Sequence, residues 1–142
     1  MKIYRVTKYS DNIFDAVLHL LPQLSPGTEL PSKKYFRDLL SSENTHFFIA
    51  ELENKDIAGM LTIGTYNTPT GMKVWIEDVV VDESQRGKAF GKDLTLFAID
   101  YAKSLGATDI RLTSRPSRVV ANKLYVKLGF VQYETNVYKY KA

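Results

Sequence analysis

A short basic segment that contains two glycines has the composition of an anion-binding loop. It reads Gln85-Arg86-Gly87-Lys88-Ala89-Phe90-Gly91-Lys92 and follows the valine-rich stretch Val79-Val80-Val81. If a helix begins in this segment, its first backbone N–H groups have no intrahelical partner, and the helix dipole adds partial positive charge there. Glycine lets an anion approach the backbone closely, and Arg86, Lys88 and Lys92 supply counter-charge. The segment therefore predicts a phosphate or pyrophosphate site.

Two familiar phosphate-binding loops do not match this segment. The loop of nucleotide triphosphatases ends in Gly-Lys followed by Ser or Thr, and that ending is absent. The dinucleotide fingerprint requires three spaced glycines and a ribose-binding acid after the next strand. A basic strand-to-helix turn without a ligand has the same composition, so the segment alone leaves both interpretations open.

The composition excludes several other kinds of chemistry. The chain has no cysteine, which excludes a thiolate metal site, a disulfide scaffold and a covalent cysteine enzyme. His19 and His46 lack spaced partners, so we expect no metal. The net charge of +3 is too small for a dense basic stripe, and no segment resembles a signal peptide or a membrane span. We therefore expect one cytoplasmic domain, residues 1–142, without a nucleic-acid or membrane partner.

The first third of the chain predicts a strand and two helices that precede the sheet. Residues 2–6 alternate and are rich in β-forming residues, which is typical of a strand. Apolar residues at steps of three and four predict a helix that Asp11 caps and Pro22 ends. A second, shorter helix should begin after Ser32, which is its expected N-cap.

The rest of the chain predicts a core of strands followed by alternating helices and strands. The predicted strands of the middle are residues 45–52, 57–66 and 72–81. The predicted elements after them are a helix over residues 88–105 ended by Gly106, a strand at 109–113, a helix capped by Ser117 and ended by Gly129, and a hairpin of residues 130–134 and 137–140. Hairpin links imply antiparallel pairs and crossovers imply parallel ones, so the class is α/β with a mixed sheet.

Three motifs in the second half resemble the general-control-related N-acetyltransferase (GNAT) superfamily. The loop Arg86–Gly91 resembles its central motif, with Ala89 where a glycine is usual. Residues 115–130 resemble its distal motif, with Asn122 ahead of a Leu-Tyr pair and a Gly-Phe pair. Residues 75–82 resemble its core strand, most closely that of glucosamine-phosphate N-acetyltransferases. The resemblance implies a mostly antiparallel central sheet with flanking helices, in which a bulged core strand splays from the next parallel strand.

The resemblance also implies acetyl-CoA as co-substrate and an N-acetyltransferase activity. Backbone groups of the valine strand would pair with the pantetheine arm like an added strand, and the loop would bind the pyrophosphate. The residues implied to bind acetyl-CoA are Val79, Val80, Val81, Arg86, Gly87, Lys88, Ala89, Phe90, Gly91, Lys92 and Asn122. Alanine at position 89 is tolerable if that residue is already helical, and is a problem if a positive φ is required.

Three residues are candidates for the chemical steps. The resemblance places the hydroxyl of Tyr125 near the coenzyme sulfur, where it would protonate the departing thiolate, although a core tyrosine is the alternative. Glu77 and Asp78 compete as the base that deprotonates the amine, and water is a third option. Strand alternation should put these two carboxylates on opposite faces, and we prefer Glu77 slightly. A backbone N–H freed at the bulge would polarise the thioester carbonyl.

Several functions are compatible with these motifs. Direct transfer in a ternary complex is the leading hypothesis, because no cysteine is present to carry an acetyl group. A non-catalytic acyl-CoA-binding module that senses the ligand and docks a partner is the alternative, and a nucleic-acid binder is disfavoured by the modest charge. The acceptor would be a small-molecule or peptide amine, with an amino-sugar phosphate slightly favoured. Pairing through the C-terminal hairpin is compatible with a homodimer.

Overall fold

The computed structural model describes residues 1–142, in which five strands form one sheet. The strands are β1 (Lys2–Arg5), β2 (Thr45–Glu51), β3 (Ile57–Thr68), β4 (Gly71–Val81) and β5 (Ile110–Arg111). They lie in the sheet in chain order, with antiparallel pairing from β1 to β4 and parallel pairing of β4 with β5. The mixed, mostly antiparallel sheet is therefore confirmed.

Helices pack on both faces of this sheet. They are α1 (Asp11–Leu24), α2 (Lys33–Leu40), α3 (Phe90–Ser104) and α4 (Val119–Lys127). Leu20 of α1 and Phe36 of α2 belong to one buried cluster, whereas Leu94 and Ala98 of α3 belong to a second cluster. Full burial of a leucine side chain stabilises a fold by about 1.5–3 kcal/mol, so these two clusters hold the layers together. None of the helices has the length and apolar character that crossing a bilayer requires.

Helix α1 begins one residue earlier and ends later than the sequence predicts. Ser10 is the N-cap, because its hydroxyl accepts a hydrogen bond from the Ile13 N–H at 3.3 Å, and Asp11 is the first helical residue. The carboxylate of Asp11 then interacts favourably with the positive end of the helix dipole. The helix continues through Pro22 to Leu24. A proline this close to the end removes a single intrahelical hydrogen bond, and packing of the last turn against the core outweighs that loss. The predicted cap of α2 by Ser32 is confirmed, at 3.1 Å from the Tyr35 N–H.

The predicted start of α4 at Ser117 is wrong by one residue. Arg118 occupies the N-cap position without a side-chain cap, and its N–H donates to the Arg115 carbonyl at 3.0 Å. That turn leaves Ser117 outside the cap position. Val120, in the first turn of α4, is 84% exposed, so the start of the helix is not packed against the core. The glycine end of the helix is as expected, with Gly129 at a φ of 97° directly after the C-cap.

The predicted closing hairpin does not form. Residues 131–142 belong to no strand and make no backbone–backbone hydrogen bond. Val131, Tyr133 and Val137 alternate as a strand would, yet all three are more than two-thirds exposed. Strand β5 has only two paired residues, so it offers too short an edge for a hairpin to extend. Strand propensity without a partner edge or a face to pack on does not produce a strand.

Candidate active site

The centre of the site is a bulge in β4. Met60 of β3 faces Val80, whereas Thr62, two residues later, faces Glu77. Two residues of β4 therefore oppose one of β3 at this point, which is the definition of a β-bulge. Asp78 lies in the bulge with a φ of 51°. Aspartate tolerates this left-handed conformation better than most residues, so the bulge fits its sequence.

The bulge overturns the prediction that the two carboxylates lie on opposite faces. Ile76 packs in the α3-side cluster, whereas Val80 packs in the α1/α2-side cluster. Uninterrupted alternation would put both residues on one face, so the extra residue has reversed the alternation. Glu77 is then on the face opposite to Ile76, and Asp78 is on the same face as Val80. Both carboxylates therefore lie on the α1/α2 side of the sheet.

A groove of about 690 Å³ runs along this side of the sheet, and only one of the two carboxylates lines it. Its wall is formed by α1, α2, the loop between them and the nearby strands, and it is mostly apolar. Asp78 lines the groove, together with one other carboxylate, Glu29, and no lysine or arginine lines it. Glu77 is not among the lining residues. The geometry thus favours Asp78 over Glu77 as the carboxylate that meets a ligand.

The surroundings raise the pKa of both carboxylates. Each keeps part of its surface in solvent, while protein on the other side raises the pKa by removing water. For Glu77 the negative charge of Asp78 raises the pKa further. A carboxylate with a raised pKa accepts a proton more readily at neutral pH. Asp78 therefore has the position and the basicity that a proton acceptor in the groove needs.

Beyond its first few residues, β4 has a free edge on the β5 side. Strand β5 pairs only with Val74 and Trp75, so the two parallel strands separate after that point. The Asp82 N–H donates to β3 at 2.8 Å, which means that the backbone groups of Val79 and Val81 face the other edge. The separation of the two parallel strands that the resemblance implies is therefore present, and Val79 and Val81 lie along the free edge of β4.

Two arginines lie on this free edge. The guanidinium of Arg118 donates to the Val79 carbonyl at 3.2 Å, and that of Arg86 donates to the Val81 carbonyl at 3.4 Å. An extended ligand that pairs with the edge would replace these contacts with its own hydrogen bonds. Positive charge is thereby concentrated where the strand ends and the basic loop begins.

The loop after β4 leaves a run of backbone donors free. A short 3-10 turn, Glu83–Gln85, leads from β4 toward the start of α3. The N–H groups of the six residues from Gly87 to Lys92 donate to no backbone or side-chain acceptor of the protein. Since they are consecutive and lie at the positive end of α3, they are suited to bind an anion. The Lys88 side chain is held nearby by Gln85, at 2.8 Å.

Ala89 is strained in this loop. It is the N-cap of α3 and has a φ of 64°, so it adopts the left-handed conformation rather than a helical one. Of the two alternatives given by the sequence, the unfavourable one applies: the motif's usual glycine is replaced where a positive φ is required. Alanine in this conformation costs about 1–2 kcal/mol relative to its right-handed form.

Replacing Ala89 with glycine is expected to stabilise the protein by about 1 kcal/mol, because glycine adopts a positive φ without a Cβ clash. Urea unfolding of Ala89→Gly against wild type measures this difference. The matched control is Gly87→Ala, where φ is 80° and no atom lies within 4 Å of an added Cβ. It should lose stability through backbone strain alone. A destabilised Ala89→Gly would contradict the assigned loop conformation.

Tyr125 and Asn122 both lie on α4. Tyr125 is 6% exposed and packs edge-on against Phe130, with ring centres 5.9 Å apart. Burial raises its pKa, and the positive charge of Arg118 opposes that rise. The Asn122 side chain donates to the Arg115 carbonyl at 3.0 Å, so in this structure it braces the turn before α4.

Sequence reasoning missed a polar cluster that links α1 to the loop. Asp82 is 8% exposed, and its carboxylate accepts hydrogen bonds from Ser84 and, at 2.6 Å, from His19. Gln23 donates to Asp82 at 3.3 Å and accepts from the Glu83 N–H at 2.8 Å. His19 and Asp82 are far apart in the chain, so no local spacing signals the contact. The cluster fixes the loop entrance against the helix that walls the groove.

Replacing Asp82 with asparagine is expected to destabilise the protein by about 1–3 kcal/mol at neutral pH, the usual effect of breaking a buried charged hydrogen-bond network. Hydrogen bonds, first that of the Ser84 hydroxyl, lower the pKa of Asp82 far below its ordinary value. Because the folded pKa is depressed, this stabilisation is fully present above the unfolded pKa of about 3.9 and is lost progressively as pH falls from there through the folded pKa.

The measurement is urea unfolding of Asp82→Asn and wild type at about pH 7 and about pH 3, where the difference should be largest at the higher pH and already smaller at the lower one. Glu83→Gln is the matched control, because Glu83 is exposed and its carboxylate makes no hydrogen bond. A difference between Asp82→Asn and wild type that does not shrink at the lower pH would exclude this role for the carboxylate.

Known proteins resemble the chain in both sequence and fold. The Acetyltransferase (GNAT) family model matches residues 14–130. Streptothricin acetyltransferase of Escherichia coli is 30% identical over 134 residues, covering 92% of this chain and 74% of that protein. The structure of glucosamine-6-phosphate N-acetyltransferase from Arabidopsis thaliana superposes with a TM-score of 0.77 and 25% identity, over 98% of this chain and 97% of that one.

A third relative is similar mainly in fold. An aminoglycoside acetyltransferase from an uncultured soil metagenomic sample, solved in complex with sisomicin, superposes with a TM-score of 0.85 at 21% identity, over 99% of this chain and 95% of that one. This likeness of fold agrees with the family match, as do the splayed strands and the basic loop at a helix start in the present chain. The chain therefore belongs to the GNAT family of acetyltransferases and is an N-acetyltransferase.

Proposed function

We propose that this protein, as one domain of residues 1–142, transfers the acetyl group of acetyl-CoA to a primary amine by direct attack in a ternary complex. The observation that carries the proposal is the run of six free N–H groups from Gly87 to Lys92, at the end of a strand with a free edge. An elongated ligand with a pyrophosphate at one end and amides along its length matches both features. No metal takes part in the proposed reaction.

The acetyl-CoA side of the site combines the loop and the strand edge. The N–H groups of the loop, with Arg86, Lys88 and Lys92, would hold the pyrophosphate. The backbone of Val79 and Val81 would pair with the pantetheine amides as an added strand does. This arrangement directs the thioester toward the bulge, where the Val79 N–H would polarise its carbonyl.

The groove on the α1/α2 side is suited to a cationic acceptor. Asp78 and Glu29 supply negative charge, and the remaining wall is mostly apolar. Streptothricin and the aminoglycoside sisomicin, named with two of the relatives, fit this class as amine-bearing small molecules. We therefore place a small-molecule polyamine-like acceptor ahead of a peptide amine or an amino-sugar phosphate, because no basic residue lines the groove to bind a phosphate.

The chemistry requires one base, one acid and an oxyanion donor. An aliphatic amine has a reference pKa of about 10.4, so it must lose a proton before it attacks. Asp78, directly or through water, would accept this proton. The nitrogen then attacks the thioester carbon, and Tyr125 protonates the departing thiolate. The sequence supplies no cysteine for a covalent acetyl-enzyme, which supports direct attack. A cytoplasmic location stays a prediction.

Thiol release from acetyl-CoA across a panel of amines tests the proposal. The panel contains streptothricin, an aminoglycoside, glucosamine 6-phosphate, spermidine and a lysine peptide. We expect saturable release with at least one amine and preference for a multiply charged one. Tight binding of acetyl-CoA without turnover on any amine would contradict the proposal and support the non-catalytic, acyl-CoA-sensing alternative.

A further inference from the structure

The two carboxylates of the groove on the α1/α2 side belong to different walls. Asp78 lies in the bulge of β4, whereas Glu29 lies in the loop between α1 and α2. Glu29 is exposed and takes part in none of the ion pairs of the protein. Its charge is therefore available to a ligand, at a place in the groove that is separate from the carboxylate proposed as the base.

The positive charges of α2 are engaged outside the groove. Lys33 pairs with Asp11 at 3.3 Å, and Lys34 pairs with the next turn of its own helix. The guanidinium of Arg37 lies over the ring of Tyr9, 4.2 Å from the ring centre. No lysine or arginine lines the groove. Its two negative charges are therefore left for a ligand that carries two positive ones.

The groove also leaves apolar surface in contact with solvent. Leu30 follows Glu29 in the loop and is 46% exposed, and Tyr35 in the first turn of α2 is 63% exposed. Leu21 and Leu24 of α1 line the same groove and are partly buried. Methylene or aryl groups of a ligand would cover this surface, and each methylene buried there should strengthen binding roughly 2- to 4-fold.

The loop that carries Glu29 is fixed at both ends. At its start, the guanidinium of Arg115 donates to the Leu24 carbonyl at 3.2 Å. At its end, the Ser32 hydroxyl accepts a hydrogen bond from the Tyr35 N–H at 3.1 Å. Anchoring of this kind lowers the entropy that is lost when a ligand orders the loop, so Glu29 is suited to hold a charged group.

We propose that the acceptor is a diamine whose two amino groups are joined by an apolar spacer, and that Glu29 selects it by binding the ammonium group that does not react. The inference rests on the proposed acetyl transfer, in which Asp78 meets the reacting amine. Glu29 takes no part in the bond changes of that step. A monoamine would leave Glu29 without a partner, and a polyhydroxylated polyamine would leave the apolar wall uncovered.

The test compares linear alkane diamines of increasing length with alkylamines of the same length, through thiol release from acetyl-CoA by wild type and Glu29→Gln. We expect kcat/KM of the best diamine to exceed that of its matched alkylamine roughly 5- to 20-fold in the wild type. In Glu29→Gln the preference should shrink to the statistical factor that two equivalent ends give.

Glu43→Gln is the matched control, because Glu43 is an exposed carboxylate that does not line the groove. It should keep the wild-type preference for diamines. An unchanged preference in Glu29→Gln would overturn the inference. Faster use of an aminoglycoside than of every diamine would also overturn it, since the apolar spacer would then have no role.

A second readout does not depend on turnover. Calorimetric titration of the same amines, in the presence of coenzyme A, should show tighter binding of the diamine than of the alkylamine in the wild type and a smaller difference in Glu29→Gln. Absence of diamine binding would overturn the inference. Glu29-dependent binding without thiol release would keep the diamine site and reject the proposed function, whereas thiol release with a preference independent of Glu29 would reject the inference alone.

Discussion

Tyr125→Phe is expected to lower kcat roughly 100- to 10,000-fold, the usual range for removal of a general acid. The hydroxyl would no longer protonate the departing thiolate, and the buried ring would keep its packing against Phe130. Acetyl-CoA affinity should change little, because the loop and the strand edge supply the binding groups. Steady-state kinetics and calorimetric titration with acetyl-CoA measure the two quantities.

A control variant and a stability measurement distinguish a chemical role of Tyr125 from a structural one. The control variant is Tyr138→Phe, which removes a hydroxyl from an 86% exposed tyrosine in the C-terminal segment. It should leave kcat unchanged. Chain stability is monitored by thermal unfolding, and both variants should unfold close to wild type. A Tyr125→Phe enzyme with near-normal kcat would show that Tyr125 is a core residue without a chemical role.

Asp78→Asn is expected to lower kcat/KM roughly 100- to 10,000-fold while leaving the fold at least as stable as wild type. The amide cannot accept the amine proton, which explains the first effect. The second follows from the raised pKa of Asp78: its folded value lies above the unfolded one, so ionisation opposes folding. The associated stability is present at low pH and lost as pH rises through the folded pKa. Asparagine also tolerates the positive φ.

Glu77→Gln is the matched control for this variant. Glu77 is adjacent to Asp78 and on the same side of the sheet, but it does not line the groove. Its loss should reduce kcat/KM far less than the loss of Asp78. Activity is measured across pH, with thermal unfolding alongside it. A larger loss in Glu77→Gln than in Asp78→Asn would return the base role to Glu77.

Local patterns predicted most of the fold, and the errors occur where the structure depends on contacts between residues that are far apart in the chain. The spacing of apolar residues in α3 and the glycine after it define a helix without reference to the rest of the chain. The exposed segment at residues 131–142 has the same strand-like alternation as a true strand, yet no partner edge meets it. Strand formation depends on that partner, which the segment itself does not encode.

In the candidate site, too, the features that depend on neighbouring residues could be predicted, and those that depend on long-range pairing could not. The basic loop could be predicted from Arg86, Gly87 and Lys88 because its charges and its glycine lie in consecutive residues. The resemblance implied a bulge in the core strand, but its position at Asp78 could not be predicted, because a bulge is a mismatch in register between two strands. The mismatch moves every later side chain of β4 to the other face of the sheet. His19 was likewise assigned no role, since its partner Asp82 comes from another part of the chain. Properties that arise from register and long-range pairing need the structure.

The most direct test of acetyl transfer by this protein is a single-turnover reaction with acetyl-CoA labelled in the acetyl group and the best amine from the panel, followed by mass analysis of acceptor and protein. Direct attack predicts that the label appears in an amide of the acceptor and never on the protein, with or without the amine. Label on the protein, or labelled acetate with an unmodified amine, would contradict it.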